Sequence, residues 1–409
     1  MTATYRYLFC DLLTDRPITA LELTGVTFER RIVQAGSFKA QLPIANRQVA
    51  DRVRKVFPPE DAGVSPAGAG RVVCHVYRGA ELWGSYIIWQ ATPAGDERGK
   101  VLLDLQGASL ESYLHRRQIW EDLAFDQEDQ IDIAHALVAD MQSEPGGNLG
   151  LLPVGGPSGV LRDRYFKGSE AASYGDRLAE LANLADGFEY YIRTYVSAGR
   201  RRREFVTGRP RLGNGAAAAD MVFARPGNVM TWSYSSDAGS GATRWRARGD
   251  AVNDDLTADS EPLVSGVAQA PGYLEAGWPY LDRTVDYQGV KDRATLDGYA
   301  AYQAGRKSGT VRIPQITVRI GDEVPISPNR LGDHARVTLV DDWWPLDERG
   351  RPTFAHTWRV VGFEVTPRRA ARRSAPPSSS RKRPKRKPDA PAPPHSVPAE
   401  RRPPSQQRH

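Results

Sequence analysis

The sequence has only two cysteines in 409 residues, and it lacks any apolar run long enough to cross a bilayer. A membrane helix needs about 20 consecutive apolar residues, so no helical span is expected. Two cysteines cannot furnish a structural zinc cluster, and neither a C-x-x-C pair nor H-E-x-x-H occurs. G-x-S-x-G is missing, which removes the usual setting of a serine nucleophile. The glycine-rich stretch Gly146 to Gly159 lacks the Gly-Lys-Ser/Thr ending that would grip a nucleotide phosphate, so it reads as a loop. No basic-then-apolar leader opens the chain, and no secretory signal is expected. In that setting Cys10 and Cys74, each inside an alternating apolar run, are expected to be buried free thiols.

The remaining chemistry-bearing residues are scattered. The seven histidines show no motif spacing, and hydrogen-bonded or surface positions are expected for each. Asn253, Asp254, Asp255 and Asp259 could gather a cation, but their spacing departs from an EF-hand loop, and a solvated acidic loop is the expectation. Paired carboxylates for glycoside hydrolysis are neither excluded nor suggested. No catalytic residue, metal or cofactor is assigned.

What is present in quantity is charge, unevenly placed. Residues 368–409 hold thirteen Lys or Arg against Asp389 and Glu400, a net +11, so residues 1–367 carry −5 of the chain's +6. That segment also holds ten prolines in 42 positions, too little apolar area to repay ordering, and is expected to be disordered. Its cluster Arg381, Lys382, Arg383, Lys385, Arg386 and Lys387 is a candidate polyanion contact, with salt-dependent affinity and no interleaved aromatics for base stacking. Arg200 to Arg203 falls at an expected hairpin tip, where solvated guanidinium groups are the usual outcome and a grip on an acidic neighbour the rarer one.

Periodicity supplies the architecture. Tyr5 to Ile44 and Val72 to Leu105 read as short strands of a small barrel or sandwich. Beyond residue 108 helical spacing takes over, with Leu110–Leu114, then Ile131–Met141 behind the acidic stretch Asp126 to Asp129, then Leu178–Phe188. Phe188 to Ile192 and Arg203 to Val206 form a meander around Ser197–Arg200. In the third region Met230, Trp232 and Tyr234 alternate, and Trp245 and Ala247 are expected to answer across a Gly/Ser turn. A helix over about Thr295 to Arg306 precedes strands at Val311–Ile320, Ala335–Val340 and Phe354–Val365, the last changing face as if bulged. Trp343 and Trp344 are adjacent in a loop and cannot share one core face, so they are candidate subunit-interface aromatics. The fold class is β-rich α+β and multi-domain: 1–107 a first barrel-like β domain, 108–220 helices plus an α+β domain, 221–367 a second barrel-like β domain, and 368–409 the disordered basic tail.

This order of elements resembles the tail-tip or baseplate hub proteins (minor tail proteins) of long-tailed bacteriophages. The resemblance covers residues 1–367: the strand-rich opening, the helices near Glu111 to Met141, the unit Asp176 to Val206, the helix containing Leu296-Asp297-Gly298-Tyr299, and the closing strands. It implies two related barrels per chain and a homotrimeric ring around the tail channel. The implied partners are distal tail, tape-measure and tip or receptor-binding proteins, with a non-specific DNA contact through the basic tail. It also implies a place in the virion after synthesis in the host cytoplasm. The excess of 46 Arg over 9 Lys suggests a GC-rich, actinobacterial host. The family shares no catalytic residues in this portion. A tail-associated cell-wall-degrading enzyme and a nucleic-acid-binding protein acting through its tail are the alternatives.

Overall fold

The structure, a computed structural model, describes residues 4–59, 64–251, 261–287, 290, 292–320 and 326–367. Alternating apolar side chains in the first region produce β1 (Tyr5–Asp11), β2 (Pro17–Leu21), β3 (Thr24–Arg31), β4 (Ser37–Ile44), β5 (Val72–Arg78), β6 (Glu81–Gly95) and β7 (Val101–Ser109), with α1 (Arg47–Val56) between β4 and β5. They pair in the order β2-β1-β5-β6-β7-β4-β3, and an eighth strand from the far end of the chain adds beside β3. One face of this sheet curls around Phe28, Phe38, Val72, Tyr86, Ile88 and Leu105. α1, capped where Asn46 accepts from the Val49 N–H at 3.0 Å, closes over that core with Val53 and Val56. The other face presents Cys10, Val73 and Ile87 to a second core. Phe9 stands opposite Cys74 and Cys10 opposite Val73, so the two cysteines look out of opposite faces, both free and buried.

The expected first barrel is thus an open, curled sheet whose edge strands, β2 and the eighth strand, do not pair with each other. Alternation determines which face is buried, but a helix can cover that face as well as a closing strand pair can.

The second region contributes α2 (Glu111–Leu114), β8 (Leu123–Asp129), α3 (Gln130–Met141), β9 (Leu151–Val154), β10 (Leu161–Phe166), α4 (Tyr174–Ala182), β11 (Glu189–Ser197) and β12 (Arg200–Gly208). The acidic stretch starts α3 as expected, with Asp129 accepting from the Ile131 N–H at 2.9 Å. β11 and β12 pair in unbroken register from Glu189–Gly208 to Ser197–Arg200, and Ala198 and Gly199 take φ of +49° and +73° at the turn. Positive φ at both central residues matches the strand twist of a two-residue hairpin. The expected loop over Leu149–Val160 instead contains β9, which adds parallel to β12. β8 and β10 form a separate ribbon.

The third region holds β13 (Met221–Arg225), β14 (Val229–Asp237), β15 (Arg244–Ala251), β16 (Pro262–Val264), β17 (Ala268–Gln269), β18 (Asp282–Asp286), α5 (Arg293–Arg306), β19 (Val311–Val318), β20 (His334–Leu339), β21 (Phe354–Arg359) and β22 (Gly362–Val365). Among the described residues these strands close no second barrel. They fall into a sheet β13-β20-β21, a ribbon β14-β19 and a small sheet around β15, while β22 is the eighth strand of the first sheet. The Gly/Ser turn does not return β14 onto β15. Trp232 pairs opposite Ile316 instead, and Gly241 passes so near Gly309 that a Cβ would lie 1.9 Å from its carbonyl oxygen. The face change in Phe354–Val365 is likewise no bulge: the chain leaves β21 at Val360 and enters the first sheet at Gly362.

α5 places Leu296, Tyr299 and Ala300 into the core that also receives Cys10 and Phe205. That core draws on all three regions.

Candidate functional site

The densest collection of reactive side-chain types lies where the β11–β12 hairpin meets the first sheet. Asp15, in the turn after β1 with φ +58°, accepts from His75 Nε2 at 2.8 Å, Arg201 Nε at 2.7 Å and Arg203 Nη2 at 3.2 Å. Arg203 also donates to the carbonyls of Leu12 (2.8 Å) and Leu149 (3.0 Å). His75 Nδ1 lies 2.8 Å from Ser85 Oγ. Because the carboxylate can only accept, Nε2 carries the imidazole proton and Nδ1 accepts from the serine hydroxyl. Cys10 completes the group: one donor atom each from Cys10, Asp15 and His75 lie within 4.8 Å of one another.

A thiol, an imidazole and a carboxylate in mutual reach could in principle make a nucleophile or hold a cation. The electrostatics oppose both. Burial pushes the Cys10 thiol up to about 11 and pulls His75 down to about 4. At neutral pH the thiol keeps its proton and the ring is uncharged, and both residues are closed to substrate. Burial works to raise the Asp15 carboxyl, but the His75 hydrogen bond and the Arg203 and Arg201 charges hold it below its ordinary value. Two guanidinium groups therefore already compensate the one carboxylate a metal ion would need. The cluster acts as a latch between sheets.

A second buried latch lies nearby. Arg30 Nη2 donates to the Ile192 carbonyl at 2.6 Å, and Glu111 Oε1 accepts from the Ile192 N–H at 2.7 Å. Opposite charges thus satisfy the C=O and the N–H of one residue on the outer edge of β11, leaving Arg30 Nη1 and Glu111 Oε2 without partners among the described residues.

Of the residues singled out from sequence, Arg200 to Arg203 divide by strand alternation. Arg201 and Arg203 turn inward onto Asp15, so the rarer expectation is the one realised there, and Arg200 and Arg202 stay exposed. Asp15 was not singled out. The available signal was that Arg201 and Arg203 share a strand face with the apolar Phe205. Trp343 and Trp344 point apart. Asp341 Oδ1 accepts both of their backbone N–H groups at 3.1 Å, and its Oδ2 accepts from the Trp232 indole at 2.7 Å. Trp344 packs on Phe354, Trp232 and Tyr234, whereas Trp343 is 72% exposed. Trp120, just before β8, is exposed to a similar degree at 73%. Arg381, Lys382, Arg383, Lys385, Arg386 and Lys387, and Asn253, Asp254, Asp255 and Asp259, lie outside the described residues.

The elements of residues 4–367 can be compared with solved structures. The chain superimposes on the 43 kDa tail protein of prophage MuSo2 from Shewanella oneidensis with a TM-score of 0.53 and 12% identity, covering 88% of this chain and 93% of that one. Its fold is similar to that of a prophage tail protein. A tail protein from Neisseria meningitidis MC58 matches at 14% identity over 88% of this chain and 91% of its own, with a TM-score of 0.49. No protein-family model matches the sequence, and no curated protein does. At such identity the likeness is one of fold, and the Asp15 and Ile192 latches are read from this chain alone.

Proposed function

We propose that this chain is a structural component of a phage tail tip, a ring-shaped homotrimeric hub that joins the tail tube to the tip or receptor-binding apparatus and surrounds the DNA channel. The observation that carries the reading is the fold similarity to the MuSo2 tail protein, which runs nearly the whole length of both chains. Open sheet edges at β2, β13 and β21 and the ribbon β8–β10 support it, because unpaired edges suit elements completed by neighbouring copies. Trp343, held outward by the Asp341 turn, is the residue we place against a neighbouring subunit, with Trp344 as its base. The role is architectural, and no catalytic residue is assigned.

Electron microscopy of the virion tests this. The chain is expected at the tail tip in three copies, and its absence from purified particles would overturn the proposal. The net +11 of residues 368–409 favours one second reading, a non-specific polyanion contact through Arg381 to Lys387. Deleting residues 368–409 should leave tail assembly intact and remove any binding to duplex DNA.

A further inference from the structure

Asn214-Gly215 is the one Asn-Gly step in the sequence, and it lies exposed in the link between β12 and β13. The backbone just before it is clamped. Gly213, at φ +84°, passes the turn before β20 so closely that a Cβ would lie 2.0 Å from the Gly332 carbonyl carbon. The Asn214 N–H donates to Oδ1 of the buried Asp333 at 2.8 Å. The Asn214 side chain, by contrast, is free. The side-chain amides of Asn46, Asn148, Asn183 and Asn228 are each held by backbone groups at 2.7–3.0 Å. Neither end of the Asn214 amide has a partner among the described residues.

The peptide nitrogen that follows is equally open. A Cβ placed on Gly215 would meet nothing within 4 Å, and its N–H has no acceptor among the described residues. An unbonded carboxamide next to an unbonded, unshielded N–H can close a five-membered ring. His334, at the start of β20, favours that closure. Its Nδ1 lies 2.6 Å from the Asn214 carbonyl oxygen, and because a carbonyl only accepts, Nδ1 carries the proton. This carbonyl and the Gly215 nitrogen belong to one resonant amide. When the nitrogen loses its proton, charge spreads onto the oxygen, and a donor already aimed there stabilises the anion.

We propose that Asn214-Gly215 is a self-modification site at which the Asn214 carboxamide becomes a carboxylate, with His334 promoting the step through the peptide oxygen. The Gly215 nitrogen, deprotonated by solvent base, bonds to Asn214 Cγ. The Cγ–Nδ2 bond breaks, and the nitrogen leaves as ammonia after taking a proton from solvent. Water then opens the succinimide, at Cγ to give aspartate or at the main-chain carbonyl to give isoaspartate. One water is consumed and one ammonia released, with no change of oxidation state. The product places a new negative charge beside Asp333, and isoaspartate also lengthens the backbone by one carbon at the clamp that seats β20. The site goes beyond the tail-tip reading and does not depend on it.

Incubation of the purified full chain at mildly alkaline pH, followed by peptide mapping with mass spectrometry, tests the proposal. Asn214 is expected to convert first, well ahead of Asn148, Asn183 and Asn228. Gly215→Val, which fits the open space at φ −63°, should keep the fold and abolish conversion. His334→Phe should slow conversion about tenfold in the folded chain, the worth of one hydrogen bond to a developing charge, and leave it unchanged in urea. Conversion at Asn214 no faster than at Asn183, or undiminished in Gly215→Val, would overturn the proposal. Equal rates for the folded wild type and His334→Phe would overturn the role of His334.

Discussion

Acid should loosen the Asp15 latch through His75 before it affects most carboxylates. The His75 ring is buried and uncharged, with its folded value pulled from 6.5 down to about 4. A base with a depressed folded value takes up its proton in the unfolded chain first, so stability falls as pH drops through the window between 6.5 and about 4. A shift of that size corresponds to roughly 3 kcal/mol when the window is fully crossed, and to about 2.5 kcal/mol between pH 7.5 and 4.5. Asp15 acts in the same direction but lower: its depressed carboxyl contributes stability above the unfolded carboxyl value and loses it only as pH falls through the folded value. An assay kept above pH 4.5 therefore isolates the histidine. Urea unfolding of the wild type and of His75→Gln, which keeps a neutral donor toward Asp15, should give a stability difference that changes by about 2.5 kcal/mol over that range. NMR titration of the ring in the folded protein gives the complementary reading. A pH-independent difference, or a folded ring titrating near its ordinary value, would refute the reasoning.

Other perturbations bear on the remaining features. Arg30→Met leaves the buried Ile192 carbonyl without the donor that Arg30 supplies and should cost about 1–3 kcal/mol in chemical denaturation. Trp344→Ala should cost about 3 kcal/mol because it empties the aromatic cluster with Phe354 and Trp232. Trp343→Ala should change stability by under about 0.5 kcal/mol while weakening assembly measured by native mass. In the native protein at neutral pH neither thiol should react with a thiol reagent. Both should react after unfolding, and a reductant should leave stability unchanged.

Much of the local structure was legible in the sequence. The acidic cap of α3, the register of α5, the β11–β12 hairpin around Ala198-Gly199 and the burial of both cysteines follow from neighbours in the chain, because spacing, capping and turn chemistry act over a few residues. So does the uneven charge, −5 over residues 1–367 against +11 after them. Only the tertiary structure decided that β14 joins β19 and not β15, that β22 crosses to the first sheet, that no barrel closes among the described residues, and that Asp15 meets Arg201 and Arg203 across nearly 190 residues. Alternation says which face of a strand is buried but carries no label for the strand beside it. Because the entropy of closing a loop grows only slowly with its length, a distant partner that packs better can displace the adjacent one.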